Sequence, residues 1–294
     1  MRKSLRTAAL TAALSAVALC ASSSAMAAQP TGEHAKFKYC PYTNANVLTC
    51  VYSQITSGSF KLGNATVPIT AATPITLQGG TGTTPGTTTQ VWYNAVGADS
   101  LVKTPLKVPG GLIGLVDTGG FTGALISIFN AAVASVNDVY ATAELAGSPT
   151  LDFTNIIAGA GTGLRLPLKV HLTNPFLGND CYIGTSSNPV TLNLTTGTTA
   201  PPPPNTPITG SPGTIGIEGA GTILVATGVK LVDNSFAAPA ATLFACGYLP
   251  LDRLVITAAV NLKEGLPSPA GKNAAIQQGN TYIGYIDGVR ASVH

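Results

Sequence analysis

Apolar and polar residues alternate strictly from Leu164 to Leu172. Leu164, Leu166, Leu168, Val170 and Leu172 take one face, while Arg165, Pro167, Lys169 and His171 take the other. A period of two over this length predicts a half-buried β-strand. Pro167 has no N–H to give to a ladder, so the strand is expected at a sheet edge or with a bulge. Val190, Leu192 and Leu194 alternate with Thr191, Asn193 and Thr195 in the same way. Further strands are predicted at 47–56, 59–69, 74–78, 90–95, 222–232 and 281–286. Turn residues separate them at fairly regular intervals, as in antiparallel sandwiches or barrels.

One stretch breaks this rhythm. Between 124 and 146, apolar residues fall at Leu125, Ile128, Phe129, Ala132, Val133, Val136, Tyr140 and Ala143, which is helical spacing, and Gly147-Ser148-Pro149 closes it. One prominent amphipathic helix at about 124–146, packed on a sheet, is therefore expected. A second, shorter helix is predicted through 251–264. Two segments are low in complexity. GGTGTTPGTTT, 79–89, reads as a flexible loop, and the Thr/Pro-rich 195–213 reads as a long surface excursion within a domain. The fold class expected is mainly β, a sandwich or barrel-like set of antiparallel sheets. A sub-division of the chain would fall near 148–163.

The N-terminus has its own pattern. Arg2, Lys3 and Arg6 precede an uncharged Ala/Leu-rich stretch that ends on Ala25-Met26-Ala27. Charged start, apolar middle and small-residue cleavage site form the three-part pattern of a signal peptide over 1–27, followed by one exported β-rich domain over 28–294. The chain has 15 Lys+Arg and 12 Asp+Glu. Three bases leave with residues 1–27, so 12 of each remain and the formal charge falls to zero. The remaining bases are scattered singly, which excludes the basic patch that a nucleic-acid partner requires. Charged residues make up 9% of the chain, against roughly 25% in typical domains, and Thr, Ser, Asn and Gly fill the polar positions.

Beyond Cys20, four cysteines remain: Cys40, Cys50, Cys181 and Cys246. An even count in an exported chain implies two disulfides. Of the three pairings, Cys40–Cys50 and Cys181–Cys246 is expected, the first closing a short, turn-prone loop and the second a long one. A zinc site is disfavoured, because no Cys-x-x-Cys pair exists and His34, His171 and His294 lie far from the cysteines. Neither a metal nor another cofactor is expected.

Catalytic patterns are thin. Leu115-Val116-Asp117-Thr118-Gly119 echoes an aspartic-protease turn, but no second Asp-Thr/Ser-Gly supplies the partner carboxylate. Gly159-Ala160-Gly161-Thr162-Gly163 precedes a strand and lacks the phosphate-loop lysine, so it reads as a turn. No Gly-x-Ser-x-Gly elbow occurs. The glutamates are Glu33, Glu144, Glu218 and Glu264. The best hint of a binding patch is Trp92 beside Tyr93, which strand geometry points to opposite faces. Pro105-Leu106-Lys107-Val108 recurs as Pro167-Leu168-Lys169-Val170, too short an echo for a duplication.

The run Asn179-Asp180-Cys181-Tyr182-Ile183-Gly184, then Asn188-Pro189-Val190 and residues 194–199, resembles a group of uncharacterised secreted proteins of actinobacteria. So do 231–239 (LVDNSFAAP) and 265–271 (GLPSPAG). The resemblance spans roughly residues 165 to 280; it implies export and brings no site residues. The expectation is an exported structural or binding protein of the cell envelope or extracellular space, without catalytic activity, whose partners would be cell-wall or surface components. The alternatives are a secreted hydrolase with an unrecognised site and an envelope-inserted barrel component.

Overall fold

The computed structural model describes residues 28–112 and 136–294. The signal-peptide pattern, Asp117 and most of the helix expected from 124 lie outside the described residues.

The alternating segments become strands of two stacked antiparallel sheets, a sandwich-like arrangement. The larger sheet is built on β1 (Val47–Leu62), β2 (Ala65–Ile69), β3 (Ile75–Thr83), β4 (Gln90–Asn94), β11 (Thr214–Glu218), β12 (Ile223–Asp233) and β13 (Ala274–Tyr285). Its order is β11-β12-β13-β1-β3-β4, with β2 paired to the second half of β1. The smaller sheet holds β5 (Pro105–Lys107), β6 (Tyr140–Leu145), β7 (Thr150–Leu151), β8 (Leu164–Thr173), β9 (Tyr182–Ile183) and β10 (Val190–Leu194), in the order β10-β8-β6-β5 with β7 and β9 also on β8. The described strands form two open sheets rather than one closed one. Three helices among the described residues attach to them: α1 (Phe153–Ala158), α2 (Pro250–Glu264) and α3 (Ile286–Ala291).

Alternation decides which residues meet. Val51, Ile55 and Leu77 from the large sheet face Leu164, Leu166, Leu168, Leu192 and Leu194 from the small one, in a shared core. The large sheet also buries its other face. There Phe37, Cys40, Val47, Cys50, Ile223, Val225, Ile286 and Val289 form a second cluster under a 3-10 turn at Gly32–Phe37 and under α3. The outer face of the small sheet stays polar, with Glu144, Lys169 and His171. Disulfides join Cys40 to Cys50 and Cys181 to Cys246, as the spacing led one to expect. Within the longer disulfide loop, the Pro-rich excursion is held in place. Thr198 bridges Thr209, Ser211 bridges Lys230, and Asn205 donates to the carbonyls of Asn234 and Asn273 at 2.8 Å each.

Three expectations need correction. Pro167 is not at an edge, since β8 is flanked by β10 on one side and by β6 and β7 on the other. Its carbonyl accepts from Ala146 N at 2.9 Å, so its missing N–H points the same way, into the gap where the chain leaves β6 before returning as β7. No ladder bond is lost there. Second, 79–83 is not loop but the end of β3. A side chain at Gly79 would meet the Trp92 ring at 2.6 Å and one at Gly80 would meet Val47 at 2.9 Å, so these glycines let β3 pass beneath bulky neighbours. Third, 140–145 of the expected helix is strand β6, held between β5 and β8. Alanine favours helix locally, but here Ala141 and Ala143 fill the inner face of a pairing that only the tertiary structure supplies.

Candidate functional site

Between the sheets the core is not fully filled. A cavity of about 60 Å³ lies among Phe60, Leu62 and Val67 from the large sheet and Ala143, Leu168 and Val170 from the small one, with Leu106 and Val108 at its side. This is several times the roughly 10–15 Å³ that admits one water. Phe60, Leu62, Ala141, Ala143 and Val170 all face inward yet are only half-buried, so the space reaches solvent. The cause is local: β6 presents two alanines opposite the β1–β2 hairpin, and small side chains leave the sheets apart. Both halves of the sequence echo line the space, through Leu106 with Val108 and Leu168 with Val170.

One polar side chain enters this apolar lining. Glu264, the last residue of α2, is 6% exposed, and its Oε2 has no hydrogen-bond partner among the described residues. Burial pushes its carboxyl above the ordinary glutamate range; the Ala65 amide and the charge of Lys263 oppose the shift without cancelling it. A carboxylate in the last turn of a helix also faces the negative end of the helix dipole. Both effects favour the neutral acid.

The orientation of α2 explains how Glu264 gets there. The helix turns polar residues inward. Thr257 Oγ1 accepts from Cys246 N at 2.9 Å, Asn261 Oδ1 accepts from Ala241 N at 2.8 Å, and Asn261 Nδ2 donates to Ala241 O at 3.0 Å. Glu264 continues the same face one turn later. Leu254, Val255 and Leu262 point outward instead, and Leu243, Tyr248 and Leu249 before the helix are exposed as well. At the C-terminal end, Asn64 Nδ2 donates to Lys263 O at 2.7 Å and Asn64 N to Glu264 O at 2.9 Å, which fixes the helix against the β1–β2 turn.

A second, polar cleft of about 340 Å³ lies on the outer face of the small sheet, beside Asp99, Lys103, Glu144 and Lys169. Its charges already satisfy one another, Lys169 with Glu144 at 3.2 Å and Lys103 with Asp99 at 3.7 Å. Tyr182 is held over the same pair. It donates to Glu144 Oε1 at 3.4 Å, stacks on His171 with ring centroids 4.4 Å apart, and has Lys169 Nζ 4.3 Å from its centroid. Burial raises the Tyr182 phenol, and Glu144 adds to the shift. The cleft is larger than the inter-sheet cavity, but among the described residues its lining holds no buried polar atom without a partner, whereas the cavity holds Glu264 Oε2, so the cavity is the stronger site.

The residues singled out by sequence are placed as follows. Trp92 and Tyr93 do face opposite ways. Trp92 is in the shared core, its Nε1 without an acceptor among the described residues, and Tyr93 packs on the second cluster and donates to Thr83 O at 2.7 Å. They form no common surface. His34 bonds Thr222 Oγ1 at 2.9 Å and Glu218 pairs with Lys36 at 3.5 Å, both at the Gly32–Phe37 turn, while His171 lies on the Tyr182 ring on the other sheet. Among the described residues no three His, Cys, Asp or Glu side chains gather as a metal would need. Glu264 was visible in sequence only as one of four glutamates. Its position in the last turn of a predicted helix, where an acid is electrostatically misplaced, was the available signal. Comparison with known protein families, with curated proteins and with solved structures finds no match to this chain.

Proposed function

We propose that the chain is an exported binding protein that takes a small, largely apolar molecule between its two sheets. The observation that carries this reading is the half-open apolar cavity with Glu264 inside it. Close packing is the rule for protein interiors, and an unfilled core lowers stability. A gap that opens to solvent and holds one misfit polar group is the form of a ligand site, apolar walls with few polar groups. Export is supported by the signal-peptide pattern of residues 1–27, by two disulfides of the kind formed in oxidising compartments, and by the resemblance to secreted actinobacterial proteins. No helix among the described residues is long and apolar enough to cross a membrane.

Methyl NMR tests the binding reading. Titration with hexane should shift the resonances of Ala143, Val170 and Leu168 while leaving those of the second cluster, such as Val289, in place. Unchanged spectra at hexane saturation would sink it. Fractionation of the producing cell into medium, wall and membrane tests export; recovery in the cytoplasm would refute that part.

A further inference from the structure

We propose that Glu264 is the polar anchor of the inter-sheet cavity, donating a hydrogen bond from Oε2 to an oxygen on a small, uncharged and otherwise apolar ligand. This rests on the cavity being a binding site and adds which ligands it selects. The geometry supplies the argument. Glu264 is 94% buried by its 6% exposure, it lines the cavity, and its second carboxyl oxygen is unpartnered among the described residues. Every other lining side chain is apolar. A buried polar atom left without a partner is costly, and a ligand oxygen at this position would remove that cost.

The charge environment decides the ligand class. Lys263, the preceding residue, is the one charged group among the described residues that acts on Glu264, and the other partner is the Ala65 amide. Among the described residues no arginine, histidine or further acid lines the cavity. Desolvation holds the carboxyl in its protonated form above the ordinary range, so it has a proton to donate. A ligand carboxylate would bring a second charge into an apolar space with no cation to meet it. A ligand amine would need two desolvated charges, which buried pairs recover only with excellent geometry and further hydrogen bonds. An alcohol, ketone or ether needs neither. The size of the gap, with alanines at 141 and 143, suits a short alkyl chain rather than a ring system.

The test compares ligands of one chain length on the full exported chain: hexane, 2-hexanone, 1-hexanol, hexylamine and hexanoate, by titration followed through the Ala143 methyl. Wild type should bind 2-hexanone and 1-hexanol at least tenfold more tightly than hexanoate or hexylamine. Glu264→Leu should still bind hexane but lose about tenfold for 2-hexanone. Glu264→Gln keeps a donor and should keep the ketone. In wild type, ketone affinity should fall as pH rises past the range where glutamate normally ionises, whereas Glu264→Gln should show no such fall. The anchor role is overturned if Glu264→Leu retains the ketone preference, or if hexylamine binds best. If neither hexane nor 2-hexanone binds wild type or Glu264→Leu, the cavity reading itself fails, and the anchor with it. Circular dichroism of both variants establishes that they fold. If Glu264→Leu is unfolded, the flat pH profile of Glu264→Gln against the falling wild-type profile still decides.

Discussion

Filling the gap should make the protein more stable. Ala143 on β6 lies directly opposite Val170 on β8, and both face the cavity. Ala143→Val adds two methyl-sized groups to that space. At about 24 cal/mol per Å³ of void removed, complete filling of about 60 Å³ would return at most ~1.4 kcal/mol. Burial of two carbon groups at about 0.8 kcal/mol each gives ~1.6 kcal/mol. The two routes agree. Because Ala143 is half-buried, about 1 kcal/mol is the expected gain, which for a chain this size raises Tm by about 2–4 °C. Urea unfolding with the disulfides intact should show a higher midpoint at unchanged slope. Valine favours strands in any case, so Ala274→Val on β13, away from the cavity, gives the propensity share to subtract. A loss of 1 kcal/mol or more in Ala143→Val would show that the sheets have no space between them. The same variant should weaken 2-hexanone binding, since valine and ligand would occupy the same volume.

Other changes test the frame around the site. Asn273 is fully buried, accepts from Gly63 N at 2.8 Å and donates to Phe236 O at 2.9 Å, so Asn273→Ala should cost about 2–4 kcal/mol in urea unfolding by leaving both groups unpaired; a cost below about 1 kcal/mol would show that these bonds do not hold the loops. Glu264 carries a raised carboxyl, so the folded state holds its proton more tightly than the unfolded one. That stability is present below the ordinary glutamate range and is lost as pH rises through the folded value. Thermal melts from pH 4 to 8 should therefore show wild type losing stability relative to Glu264→Gln as pH rises, and parallel curves would refute the shift. Replacing both Cys181 and Cys246 with alanine opens a loop of sequence separation 65 and should cost about 4 kcal/mol, against about 3 kcal/mol for Cys40 with Cys50 at separation 10. A reversed order in denaturant midpoints would show that strain or residual structure, rather than chain entropy, governs these bridges.

The Asn-, Asp- and Cys-containing runs of the second half belong to the frame. The segments at 179–184 and 231–239 hold loops together. Asp233 accepts from Asn193 N at 2.7 Å and from Ser235 N at 2.8 Å, and burial raises its carboxyl in spite of them. Asn234 Nδ2 donates to Thr206 O at 2.8 Å, which fixes one end of the Pro-rich excursion. Cys181 and Cys246 tie β9 to the loop before α2, and Gly247 N donates to Leu177 O at 2.8 Å beside them.

By itself the sequence located most strands and α2, and it favoured the observed disulfide pairing among three. Wherever one face is apolar and the other polar, as in Leu164–Leu172, the period of two is forced by the core and can be read directly. It failed where the inner face is not apolar. The first half of β13 passes unread because buried positions of this strand carry Gln277 and Thr281 rather than large apolar residues, which erases the alternation. β6 reads as helix because alanine suits a helix until β5 and β8 pair with it. The tertiary structure alone decided the site. Its walls come from segments more than two hundred residues apart, from Phe60 to Glu264, and a gap has no sequence of its own. Whether a glutamate ends on the surface or in an apolar space depends on which face of α2 the loops before it bind, and those loops bind its polar face.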